Sequence, residues 1–85
     1  MNPIIQDLSW NGNHVTLQGP HMKLTINMSF HIEMGGDVHK WTQEEILDAE
    51  EEWIYYFLQQ STTLERDKQL RGHLLTIARF RKRNG

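Results

Sequence analysis

The sequence predicts an α+β fold, a three-stranded antiparallel β-meander packed on one face by two antiparallel C-terminal helices (β-β-β-α-α). Three observations predict it: strict apolar–polar alternation over 22–33, two turn signals before that stretch, and two amphipathic segments that each begin with a capping motif. We expect strands over about 4–10, 13–18 and 22–33, and helices over about 43–60 and 63–82.

The turn signals fix how the predicted strands pair. Asn11-Gly12 suits a type I′ hairpin, and Gly19-Pro20 marks the second turn. A register with Leu8 opposite Val15, and Val15 opposite Leu24, keeps the apolar side chains of all three strands on one face. Because a slip of one residue would turn a strand inside out, this agreement supports the parity of the register.

The third predicted strand is longer than its partner. Residues 29–33 would have no neighbouring strand within the chain, and an unpaired strand end is a template for another chain. The end either bends or frays, or it forms a homodimer or a β-augmentation contact. The second alternative would use Ser29, His31 and Glu33 as the strand-edge contact.

Capping motifs predict where both helices begin. Thr42 with Glu45 forms a capping box, in which each residue satisfies a free backbone N–H of the other. Thr62 with Glu65 repeats the motif, so we expect the second helix to begin there. A short link between two amphipathic helices favours antiparallel neighbours, whose apolar sides would cover the meander.

Composition narrows the class of protein. With 85 residues, 38% of them hydrophobic and 24% charged, we expect a single globular domain over 1–85. The absence of Cys excludes a disulfide scaffold, a Cys-based metal site and a cysteine nucleophile. The first residues do not resemble a signal peptide, and the longest apolar run, 53–58, is too short to span a bilayer. We therefore expect a cytoplasmic protein without membrane contact.

The near-neutral net charge hides two opposite halves. Residues 1–61 carry nine acids and two bases, whereas residues 62–85 carry two acids and seven bases. The acids concentrate on the first helix, where they form either a solvated face or a docking surface for a basic protein. The residues of that protein-binding surface would be Glu44, Asp48, Glu51, Glu52 and Tyr55.

The bases concentrate at the end of the second helix. Positive charge in a last turn suits the helix dipole, and it also suits nucleic-acid contact. The candidate nucleic-acid contacts are Arg79, Arg81, Lys82 and Arg83. Four bases neutralise only a few phosphates, so nucleic-acid binding ranks second to protein binding.

Glu50 and the five histidines are the remaining candidates for chemistry. Glu50 falls in the apolar arc of the first helix, which predicts a structural ion pair with Arg71, a side chain that escapes to solvent at the helix edge, or a catalytic carboxylate. The histidines show no close ligand spacing; His31 with Glu33 is a two-ligand pair at most. We expect surface histidines, no metal and no cofactor.

The sequence contains no Gly-x-Ser-x-Gly elbow and no phosphate-binding loop. The function it favours is therefore a non-enzymatic protein-interaction module, a small adaptor, regulator or inhibitor that docks through the acidic helix face. Domains of this size and charge polarity are common among phages and mobile elements, an association that carries no mechanism.

Overall fold

A computed structural model describes residues 7–60 and 63–85, and it confirms the predicted α+β fold. Within these residues, three short strands form one antiparallel sheet in the order β1-β2-β3: β1 is Asp7–Asn11, β2 is His14–Gln18 and β3 is Lys23–Asn27. Three α-helices follow in the described part of the chain: α1 is Ser29–Glu33, α2 is Gln43–Gln59 and α3 is Leu64–Asn84. A 3-10 turn, Val38–Lys40, lies between α1 and α2. The predicted strand residues 4–6 lie outside the described residues.

The strands pair with the expected parity but two positions away from the expected register. Leu17 pairs with both Leu8 and Leu24, rather than Val15 doing so. The first turn also differs from the predicted one. Gly12 has a positive φ, but the second central residue does not, because no residue other than glycine has a positive φ in the described backbone. A single positive φ at the first central residue is the condition of a type II′ turn, so the predicted type I′ turn is wrong.

The third strand ends at Asn27, so the predicted strand over 22–33 is wrong beyond that residue. The Asn27 side-chain oxygen accepts hydrogen bonds from the backbone N–H and the hydroxyl of Ser29, at 2.9 and 2.7 Å. This local turn competes with strand extension beyond Asn27, where β3 has no further partner in β2, and it leads the chain into α1. Ser29, His31 and Glu33 therefore lie in a helix, and the expected strand-edge contact loses its structural basis.

Both long helices begin at threonine caps. Thr42 and Glu45 form the predicted capping box, with bonds of 2.9 and 3.2 Å. The second predicted box involves Thr62, which lies outside the described residues. The observed cap of α3 is Thr63, whose hydroxyl accepts the N–H of Arg66 at 3.1 Å.

Contacts between α2 and α3 show that the two helices run antiparallel. The end of α2 meets the start of α3 where Arg66 lies over the Phe57 ring, and the start of α2 meets the end of α3 where Glu44 binds Arg81. Their apolar sides and one face of the sheet form a single core. Its buried members are Val15, Leu17, Leu24, Ile26, Met28, Val38, Ile46, Leu47, Ile54, Leu70, Ile77 and Phe80.

Asn84 ties the end of α3 to the loop between β2 and β3. Its side-chain oxygen accepts the backbone N–H groups of His21 and Met22 at 2.9 and 3.1 Å. A Cβ at Gly19 would overlap the Asn84 side chain, so a larger residue there would displace that side chain. The basic end of α3 is therefore held at the loop between β2 and β3.

Candidate functional site: an aromatic groove above a buried carboxylate

Glu50 lies at the centre of a buried polar cluster that joins all three helices. The residue is 2% exposed, and one carboxylate oxygen accepts from His31 Nε2 at 3.0 Å and from the Trp53 indole N–H. The other oxygen is 2.8 Å from His73 Nε2. We call Glu50, His31, Trp53 and His73 the Glu50 centre. It binds α1 and α3 to α2 through one side chain.

The cluster favours the ionised form of Glu50. Burial by itself raises the pKa of this carboxyl, because charge is less stable away from water. Hydrogen bonds from His73, His31 and Trp53, together with the coulombic effect of His73, outweigh burial and lower the pKa below its ordinary value of 4.5. An ionised carboxylate only accepts hydrogen bonds, so each imidazole donates from Nε2.

Two predictions about these residues are wrong. Glu50 is indeed buried, but its partners are His31, His73 and Trp53, while Arg71 is exposed. The expectation of surface histidines fails for His31, which is buried, and for His73, which is half-buried. His31 was misplaced because an alternating strand would have directed it away from the core. The contact between His73 and Glu50 could be predicted from the sequence, since the antiparallel helical hairpin places the two residues at the same level.

An open groove lies directly above the Glu50 centre. It has a volume of about 460 Å³, and its lining residues come from α1, from the residue after it and from α2: Phe30, His31, Met34, Ala49, Glu52, Trp53 and Tyr56. We call it the aromatic groove. Met34 is 75% exposed and Tyr56 is 54% exposed, so both present apolar surface to solvent.

The walls of the aromatic groove are held from below. The rings of Phe30, Trp53 and Phe57 pack against one another, with centroids 5.3 to 5.7 Å apart. His31 and Trp53 both line the groove and both donate to Glu50. One buried carboxylate therefore fixes the orientation of two rings that a bound molecule would contact.

The acidic helix face is partly neutralised within the chain. The guanidinium of Arg81 reaches Asp48 at 2.8 Å and Glu51 at 2.7 Å, and it also contacts Glu44. We call these four residues the Arg81 clamp. Burial by itself lowers the pKa of Arg81, but the hydrogen bonds that its guanidinium donates to Glu51 and Glu44 outweigh burial and raise the pKa above its ordinary value. Of the five predicted protein-binding residues, Glu52 and Tyr55 are exposed and make no ion pair within the described chain.

The Arg81 clamp removes one of the four candidate nucleic-acid contacts from the exposed surface of α3. Arg81 is turned towards α2, whereas Arg79, Lys82 and Arg83 are exposed and together line a depression of about 420 Å³ on α3. The four predicted bases therefore do not act as one group. Arg81 belongs to the helix interface, and the other three remain open to solvent.

Within residues 7–60 and 63–85, no group of three or more His, Asp or Glu side chains is arranged to hold a metal ion. In the Glu50 centre, the imidazole Nε2 atoms bond the carboxylate itself. None of the described helices has the length and apolar character needed to cross a membrane.

Comparison with protein-family models, with curated proteins and with solved structures finds no match to this chain. Any functional conclusion therefore depends on the geometry of these surfaces.

Proposed function

We propose that this protein is a non-enzymatic protein-interaction module that binds an amphipathic segment of another protein in the aromatic groove. The observation that carries the proposal is a groove with exposed Met34 and Tyr56, whose His31 and Trp53 walls are fixed by buried Glu50. Aromatic side chains in well-packed pockets are frequent hot spots of protein interfaces. Walls that are already ordered reduce the entropy lost on binding.

Charge favours a cationic partner segment. Glu52 lies at the groove, and Glu33 precedes groove residue Met34; both are exposed, and neither makes an ion pair within the described chain. The partner chemistry that fits is bulky apolar side chains next to Lys or Arg. The acidic docking face expected from the sequence is thereby narrowed to Glu52, with Tyr55 beside it on α2, because Arg81 occupies Glu44, Asp48 and Glu51.

The test selects peptides from a displayed random library against the folded protein and measures their affinity by fluorescence anisotropy. We expect the selected peptides to combine bulky apolar residues with Lys or Arg. Met34→Asp and Tyr56→Asp should each weaken their binding at least about tenfold, since a charge then stands in the apolar groove. Glu52→Lys should also weaken binding, and this loss should shrink at high salt.

The matched control is Leu64→Asp. Leu64 is 86% exposed and does not line the groove, so the same change of charge should leave affinity unaltered. Selected peptides that lack cations, or that bind Met34→Asp as tightly as the unmodified protein, would contradict the proposal. Equal losses at Leu64 and Met34 would also contradict it.

A further inference from the structure

The outer side of α3 carries a second charged surface, formed by Lys68, Arg71, Arg79, Lys82 and Arg83, which we call the basic face. All five residues are exposed. At 100° per residue they fall within an arc of about 120°, and they span about 22 Å of the helix axis. Lys68 and Arg71 extend the cluster recognised in the sequence, whereas Arg81 points away from it into the clamp.

No ion pair within the described chain neutralises the positive charge of the basic face. No Asp or Glu occurs between Lys68 and the last residue, Gly85. Within the described chain, the five cations make no ion pair with any carboxylate. Arg81, which is two positions after Arg79, differs from these five cations because it forms ion pairs with three carboxylates. A row of unpaired cations on a rigid helix fits an anionic partner of regular spacing.

The cations form two groups along α3. Lys68 and Arg71 are one helical turn apart, while Arg79, Lys82 and Arg83 line the depression near the end of the helix. Eight residues, or about 12 Å, separate Arg71 from Arg79. This separation matches the width of the major groove of B-form DNA, about 12 Å, so the two groups can contact phosphates of two different strands. Arginine is also suited to this role because its planar fork binds phosphate with two hydrogen bonds.

Other anionic partners fit the basic face less well. A helix that lies on a membrane needs a broad apolar face, but the apolar side of α3 is buried in the core through Leu70, Ile77 and Phe80. Binding of single strands depends on aromatic side chains that stack with bases, and the basic face contains none. An acidic protein would need an apolar centre to its interface, but between Lys68 and Arg83 this face exposes a single large apolar side chain, Leu75.

We infer that the basic face binds the two phosphate strands of a nucleic-acid duplex without reading its sequence. Binding is driven by the release of counterions from phosphates that the five cations neutralise. The face offers no polar side chain other than these cations and Thr76 near its edge, so contacts go to the backbone and not to base edges. This surface is separate from the aromatic groove and does not depend on it.

The test measures binding of the full chain to fluorescently labelled DNA and RNA duplexes across a salt series. We expect the logarithm of affinity to fall with the logarithm of salt concentration with a slope of up to about −4.5, if all five cations meet phosphates. Arg71→Gln with Arg83→Gln should reduce that slope by about 1.8 and weaken low-salt binding by about tenfold or more. The type of duplex bound more tightly identifies which nucleic acid supplies the phosphates.

The matched control is Lys23→Gln with Lys40→Gln, which lowers net charge equally at exposed positions outside the basic face. This variant should keep the slope of the unmodified protein. Absence of binding at low salt, equal losses in both double variants, or tighter binding to single strands would overturn the inference. Preferential binding to vesicles rich in anionic lipid would overturn it in favour of a membrane surface.

Discussion

Two ionic clusters join α2 to α3, and each has one charged residue with three partners. In the Glu50 centre, a carboxylate that is 2% exposed accepts hydrogen bonds from three ring N–H groups. In the Arg81 clamp, a guanidinium with 29% side-chain exposure contacts the carboxylates of Glu44, Asp48 and Glu51, which are 64%, 66% and 28% exposed. The clusters match in number of partners and differ in access to water.

The difference teaches that access to water, and not the number of contacts, sets what each cluster contributes. When a partner is lost, the groups of the clamp can rehydrate, so an exposed ion pair contributes at most about 1 kcal/mol. The groups around Glu50 cannot rehydrate without opening the core. Removing one partner of a buried charged cluster costs about 3–5 kcal/mol, because unpaired polar groups remain inside.

The largest predicted effect follows from removing the Glu50 carboxylate. Glu50→Ala leaves the N–H groups of His31 and Trp53 without their acceptor and opens a cavity, so we expect the free energy of unfolding to fall by about 3–5 kcal/mol. Urea unfolding measures the loss. Glu52→Ala is the matched control on α2, since Glu52 is exposed, and it should change stability by less than about 0.5 kcal/mol.

Glu50→Gln keeps the prediction testable should Glu50→Ala not fold. Glutamine keeps the side-chain size but has one acceptor oxygen in place of two, so some donors remain unpaired and stability should fall by about 1–3 kcal/mol. If neither variant at position 50 is less stable than Glu52→Ala, access to water does not explain what the two clusters contribute to stability.

Glu50→Gln also tests whether Glu50 supports the aromatic groove, because His31 and Trp53 lose part of their hydrogen bonding in that variant.

The second effect is a dependence of stability on pH that comes from Glu50. Its folded-state pKa is lowered below the ordinary value of 4.5, so the folded protein holds the ionised form more strongly than the unfolded chain does. The stabilisation is fully present above the unfolded pKa and is lost as pH falls through the folded pKa. The free energy of unfolding should therefore decrease on acidification below about pH 5.

The difference between the unmodified protein and Glu50→Gln isolates this contribution. The stability advantage of the unmodified protein should shrink as pH falls, because glutamine does not titrate. The charged or titratable groups that face Glu50 are His31 from α1 and His73 from α3, and both remain in the variant. Glu52→Gln is the control, and its curve should follow that of the unmodified protein. Parallel curves for all three proteins in acid would contradict the assignment.

Local rules explain what could be predicted from the sequence. The capping box of Thr42 and Glu45 involves residues three apart, and the structure contains it as expected. The parity of the strands was also predictable, because period-2 alternation determines which side chains enter the core. The exact register was not, since a shift of two residues preserves the alternation and depends on which residues form the turn.

The rest depended on competition and on contacts distant in sequence. The alternation over 22–33 suits a strand, but Asn27 and Ser29 form a local turn that ends β3, and this pair was the signal in the sequence. That error also concealed the partner of Glu50, because His31 reaches the core from a helix. The Arg81 clamp joins residues 30 to 37 positions apart, so charge patterning alone did not distinguish it from a free acidic face.

The smallest predicted effect belongs to the Arg81 clamp. Arg81→Met keeps much of the side-chain length but removes the charge, and the exposed carboxylates can then rehydrate. We expect stability to fall by no more than about 1 kcal/mol, and by less at high salt, where exposed charges are screened. Arg79→Met is the control, because Arg79 is exposed and makes no ion pair within the described chain. A loss as large as that of Glu50→Ala would show that three partners stabilise a charge equally at the surface and in the core. A loss that high salt does not reduce would contradict the exposure of the clamp to solvent.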